Sequence, residues 1–272
     1  MAIKKAKKVV KKTAVKKPQA AKSNKLTSKM LIINIKKILT CKCDGKKGMP
    51  SIGALIAEFI GTFLLVSSVF AVQGQPLFVA FAIIGIVLII AGASKAHINP
   101  AITIGAWVTR KICAICAILY IAAQALGASA AFLATSAFLD STKSTVVDAY
   151  SSAPTIFQAA TLVTGKELVI VFTELLGAFI IALGVSKAIK SNKVSYALTY
   201  GFAVLIALII AGSATSMLLT ESNTALTFLN PATAIAANAV SWSIWPIAIY
   251  VITPIIGSIA GFALNDLLGN DK

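Results

Sequence analysis

Two copies of one tripeptide carry the strongest chemical signal in this chain: Asn99-Pro100-Ala101 and Asn230-Pro231-Ala232. Asn caps a helix well because its side-chain oxygen accepts a first-turn N–H. Pro suits the first helical position, where no N–H is needed. One such tripeptide is an ordinary helix start, but two at matching points of a repeat are specific. Two short helices entering from opposite faces would meet N-terminus to N-terminus, each carrying about half a positive elementary charge. Each capping Asn keeps NH2 donors that can point into a passage. Such a site takes the oxygen of a neutral solute and repels cations and protons.

Other residues invite chemical readings. Glu58 and Glu174 are acids inside apolar stretches, and an intramembrane acid is a functional candidate by default. They could relay protons, or they could accept hydrogen bonds from nearby backbone. His97, the only histidine, suggests either a pH gate or a brace for the chain around Asn99. Cys113 and Cys116 form C-x-x-C in an apolar run and read as small helix-packing residues rather than a redox or zinc pair. Cys41 and Cys43 precede the first apolar stretch, where lipidation is a weak reading. No triad or metal site is visible, and neither an enzyme nor a cofactor is expected.

The elements that must position these residues follow from composition. The chain is 58% hydrophobic and 12% charged, against about one quarter charged in soluble domains, which argues against a soluble protein. Its apolar stretches run roughly over 52–72, 77–93, 112–139, 168–189, 195–217 and 243–265. Two shorter pieces, 99–109 and 230–241, begin with Asn-Pro-Ala and read as re-entrant half-helices. The expected fold is an all-α membrane protein with six transmembrane helices and two re-entrant half-helices.

The chain also repeats itself. Ala57-Glu58-Phe59-Ile60-Gly61-Thr62-Phe63 returns as Thr173-Glu174-Leu175-Leu176-Gly177-Ala178-Phe179, and Ala123-Gln124-Ala125-Leu126-Gly127 returns loosely as Thr253-Pro254-Ile255-Ile256-Gly257. Three spans per half give the halves opposite topology, an inverted repeat of about 50–140 and 166–268. The second half has 15 more residues between its acid and its Asn (56 against 41), expected within 212–228 as a surface loop or lid.

Together these motifs resemble the major intrinsic protein family, the aquaporins and aquaglyceroporins. The likeness covers about residues 50–268 and includes Ser94-Lys95-Ala96-His97-Ile98 before the first Asn-Pro-Ala. It implies six tilted helices, two half-helices, one pore per subunit and usually a homotetramer. It also favours structural loop-support roles for Glu58, Glu174 and His97. Lys95, where the family usually has Gly, is expected at the cytoplasmic mouth.

The resemblance locates a selectivity filter at Phe81 (or Val79), Leu208, Thr227 and Thr233. Water channels of the family usually carry Arg where Thr233 stands and often His where Leu208 stands. Glycerol channels usually carry Arg-Asp, which Thr233-Ala234 replaces here. Tyr250 resembles the water-channel choice and Val251 the glycerol-channel choice, so the subclass signals conflict. The expected function is a passive channel for water or small neutral solutes such as glycerol. The rivals are a non-conducting membrane scaffold and a proton-coupled secondary transporter.

Charge is uneven. Residues 1–47 hold 16 lysines and one acid, while 48–272 hold nine Lys/Arg and eight Asp/Glu. The first 47 residues read as a basic, mostly disordered cytoplasmic tail with an interfacial segment near Met30–Leu39, and 48–272 as the channel domain. No cleavable signal peptide is evident. With the N-terminus inside, inner connections carry Lys95, Arg110, Lys111, Lys187, Lys190 and Lys193, and outer ones only Lys143 and Lys166. The expected placement is multi-pass in the plasma (inner) membrane with both termini cytoplasmic. The tail's expected partner is anionic membrane lipid. Nucleic-acid phosphate is the second reading, and the tail lacks aromatic or Arg residues for base contacts.

Overall fold

The computed structural model describes residues 42–43, 46–47, 49–142, 156–219 and 224–269. The tail expectations for residues 1–41 lie outside these. Eight helices follow in order: α1 (Ile52–Ala71), α2 (Pro76–Ile90), α3 (Pro100–Val108), α4 (Ala114–Thr142), α5 (Glu167–Ala188), α6 (Lys193–Ser216), α7 (Pro231–Ala236) and α8 (Ile244–Gly269).

Their starts are written in the sequence. Ser51 caps α1 and Asn192 caps α6, each accepting a first-turn N–H. Pro opens α2, α3 and α7. Within α8, residues Ala248–Ile252 form a π-turn just before Pro254. Pro offers no N–H to the ladder and crowds the preceding turn, and a wider turn relieves that conflict.

Five helices (α1, α4, α5, α6 and α8) are long and apolar enough to cross a membrane. The expected second span, α2, is apolar but has 15 residues, or about 22 Å at 1.5 Å per residue. The nine residues by which α6 exceeds it (24 against 15) account for most of the second half's extra length. The extra residues therefore lengthen a helix more than they build a lid. Beyond α6, a short strand β4 (Thr224–Ala225) pairs in parallel with β3 (Gln158–Ala159), joining the α4–α5 connection to the approach to α7.

The packing has two-fold regularity. Helix α1 packs on α4 as α5 packs on α8, while α3 meets α8 as α7 meets α4, and α2 lies along α6. Small residues allow the close crossings. A Cβ on Gly127 would come within 2.3 Å of the Phe59 carbonyl oxygen, and one on Gly257 within 2.4 Å of that of Leu175.

The basic segment does not end cleanly at residue 47. β1 (Lys42–Cys43) pairs antiparallel with β2 (Lys46–Lys47), and Cys43 is buried and bonded to Cys116. Asp44-Gly45, between the strands in the sequence, is a pair that two-residue hairpins favour. Cys116 is therefore more than the packing residue expected from sequence.

Candidate functional site

The site is built from the N-termini of α3 and α7. Asn99 Oδ1 accepts the Ala101 N–H at 2.8 Å, and Asn230 Oδ1 accepts that of Ala232 at 3.0 Å. With each oxygen committed to its own helix, the amide nitrogens cross over. Asn99 Nδ2 donates to the Leu229 carbonyl at 3.0 Å, and Asn230 Nδ2 donates to the Ile98 carbonyl at 2.9 Å. Each NH2 has two hydrogens, so one bond leaves a second donor on each amide. Both asparagines line a common cavity.

The accepting carbonyls belong to residues in an unusual conformation. Ile98 has φ +42° and Leu229 φ +57°. Left-handed backbone costs a non-glycine residue about 1–3 kcal/mol and persists only where its surroundings enforce it. The two intramembrane acids do so. Glu58 accepts from Ser94 Oγ (2.8 Å), the His97 N–H (2.9 Å), the Ile98 N–H (2.8 Å) and Gln124 Nε2 (2.9 Å). Glu174 accepts from the Phe228 N–H (2.6 Å) and the Leu229 N–H (3.0 Å). Both carboxylates are fully buried and hold backbone directly, the second of the two roles open from sequence.

His97 sits in the same network. Its ring is fully buried, with Nδ1 3.2 Å from Thr103 Oγ1 and its plane edge-on to Tyr120. Tyr200 donates to the His97 carbonyl, and Tyr196 to that of Lys95, each at 2.7 Å. The histidine braces the approach to α3 and is not among the cavity-lining residues. Lys95 is half-buried.

The cavity, about 70 Å³, runs from the asparagines past Thr233, Leu208 and Thr227 to Gly74 and Phe157. It shares the last four of these with a wider vestibule of about 440 Å³. Val79 lines the cavity, whereas Phe81 is 58% exposed on the outside of the bundle. The reason is angular: two residues turn a helix by about 200°, given 3.6 residues per turn. Of the positions expected for a filter, this cavity brings together Val79, Leu208, Thr227 and Thr233, with Thr227 Oγ1 3.2 Å from Thr215 Oγ1. Tyr250 stands behind them, packing on Phe228, with its hydroxyl 3.4 Å from the Leu226 carbonyl.

Phe157 carries no sequence motif, yet it lines both spaces. It packs between Phe70 and Phe228 and is held by β3–β4 pairing, with the Ala159 N–H bonded to Ala237 O and the Ala160 N–H to Ala225 O. Gly74, at φ +67°, makes room for its ring, since a Cβ there would lie 2.7 Å from the Phe157 ring.

Two half-helices meeting tip to tip within a bundle of apolar helices, beside a narrow cavity, define a multi-pass membrane protein of the channel class. Comparison with known proteins places it more closely. The family model "Major intrinsic protein" matches residues 72–264, and the chain belongs to that family of membrane channels, which are not enzymes. It is 32% identical over 159 residues to aquaporin PIP2-4 of Oryza sativa subsp. japonica, covering 50% of this chain and 53% of that one. It is 40% identical over 93 residues to aquaporin PIP2-7 of Musa acuminata, covering 28% of this chain and 33% of that one. The matches thus span about half or less of these relatives. In fold it resembles the aquaglyceroporin from Plasmodium falciparum, with a TM-score of 0.57 and 18% identity over 79% of this chain and 94% of the other.

Proposed function

We propose that the chain is a passive channel for water and small neutral solutes such as glycerol, with cations and protons excluded where Asn99 and Asn230 meet. The carrying observation is the crossed pair of amides at two facing helix N-termini. A solute oxygen can accept from them, while two positive helix ends oppose a cation. The filter residues Val79, Leu208, Thr227 and Thr233 carry no charge, which favours neutral solutes beyond water.

The lysine asymmetry supports cytoplasmic termini, and the PIP relatives support the plasma membrane. The family resemblance supports a homotetramer with one pore per subunit. The lysines of residues 1–47 suit an anionic leaflet at about 1 kcal/mol each.

The test is stopped-flow light scattering on proteoliposomes holding the full chain, comparing water, glycerol and urea. Water and at least one solute should cross faster than in empty liposomes, without ion current in planar bilayers. Flux no faster than in empty vesicles, or a substantial cation current, would count against the proposal.

A further inference from the structure

Two buried threonine hydroxyls meet where the narrow cavity opens into the vestibule. Thr215 lies in the last turn of α6 and Thr227 on the approach to α7, and Thr227 borders both spaces. A hydroxyl has one proton and two lone pairs, so each proton can be assigned. Thr215 Oγ1 is 3.0 Å from the Ala211 carbonyl, one turn back, and 3.4 Å from that of Gly212. Carbonyls only accept, so the Thr215 proton stays on α6, in the back-bond that helical threonines form. Thr227 Oγ1, 3.2 Å from Thr215 Oγ1, is then the donor between the two hydroxyls. With its proton committed to Thr215, Thr227 offers the passage an acceptor.

The deep end of the cavity has the opposite sense. Asn99 and Asn230 have given their oxygens to helix caps, and each keeps one N–H for the passage. Between the two ends Val79 and Leu208 form no hydrogen bonds, and the Thr233 hydroxyl serves either sense. The cavity thus accepts at its mouth and donates at its deep end. Hydroxylic solutes satisfy either sense, because each O–H both donates and accepts. An amide has a fixed sense: its nitrogen only donates and its oxygen only accepts. An amide entering oxygen first meets the right partner at each end.

We propose that Thr215 and Thr227 set specificity at the cavity mouth and admit ureas and small primary amides as a solute class, with Thr215 the positioning residue for the Thr227 proton. The inference rests on the channel reading above and names a solute class for that same passage. Without the Thr215 oxygen, the Thr227 proton has only the solute to bond. A glycerol hydroxyl can take that proton, whereas an amide nitrogen cannot. A buried donor left unpaired is then a barrier to amides alone.

The test measures urea, acetamide, glycerol and water flux by stopped-flow light scattering in proteoliposomes holding the full chain. Urea and acetamide should cross faster than in empty vesicles. In Thr215→Val the ratio of urea to glycerol flux should fall about fivefold, on the scale of one unpaired buried donor, with water flux kept. Thr215→Ser keeps the hydroxyl and should restore the ratio. Thr227→Val removes the acceptor itself and should lower the same ratio, since glycerol can bond its own neighbouring hydroxyl. A packing defect would instead slow all solutes together. Water and glycerol flux with urea and acetamide excluded, a ratio unchanged in both valine variants, or Thr215→Ser behaving as Thr215→Val would each overturn the inference and leave the channel reading standing. Absence of flux for every solute in the wild-type chain would overturn the channel reading and this inference with it.

Discussion

The two re-entrant segments reach one geometry by different means. Before α3, a polar network does the holding: Glu58 accepts four donors, two of them side chains, and Tyr196 and Tyr200 reach across from α6 to the backbone. Before α7, among the described residues, Glu174 accepts from two backbone N–H groups only. Aromatic packing of Phe157, Phe228 and Tyr250 and the β3–β4 pairing supply the rest. The difference assigns the tasks. The first segment is fixed by buried hydrogen bonds that tolerate little substitution. The second is fixed by packing at the cavity mouth, where a change of side chain alters the passage itself.

The sharpest way to break this comparison is to neutralise each acid. In Glu58→Gln, the new NH2 faces two donors whichever way the amide turns. With each orphaned buried donor costing about 1–3 kcal/mol, the loss should be about 3 kcal/mol. In Glu174→Gln, one oxygen can still accept both N–H groups, so the loss should be about 1 kcal/mol. Thermal unfolding in detergent checks the order, and equal losses would refute the contrast.

The next effect falls on the second segment. Thr233→Arg adds length and charge beside Leu208 and Thr227. Glycerol flux should fall about tenfold, equivalent to ~1.4 kcal/mol of barrier, with water flux largely kept. Unchanged glycerol flux in proteoliposomes would remove Thr233 from the constriction.

A smaller and two-signed effect tests the aromatic brace. Phe157→Ala should raise glycerol flux about two- to threefold, less than 1 kcal/mol of barrier, whereas Gly74→Ala drives the ring toward the cavity and should lower it. A same-sign response from the two would show that Phe157 does not border the passage. Least of all, deletion of the chain up to Ser28 should leave both fluxes unchanged, because the machinery of both segments lies beyond residue 50. Loss of flux in that variant would attach the tail to transport.

How much of this was legible beforehand depended on whether the signal was local. The half-helix starts at Asn99 and Asn230, and the acids on the matching helices, were written in short repeated motifs, and the structure places them together. The α2 position facing the cavity was legible only to within two residues, and two residues are enough to move a side chain from the cavity to the outside. Val79 and Phe81 differ in that way. Phe157 left no trace, because its place depends on strand pairing with a segment some 65 residues later. Cys116 was misread for the same reason: its partner Cys43 lies 73 residues away. What the sequence hid were long-range encounters without a repeat to announce them.

The crossed amides have a consequence for how the molecule is made. Asn99 finds its acceptor 130 residues downstream, and Ile98 offers its carbonyl to a donor 132 residues downstream. During synthesis the first half enters the bilayer with that exchange still open. Neither tip can settle until the second Asn-Pro-Ala has left the ribosome and turned back into the membrane. A half-made chain therefore holds one side of the exchange without the other, and the crossing can close only once the last third of the protein has arrived.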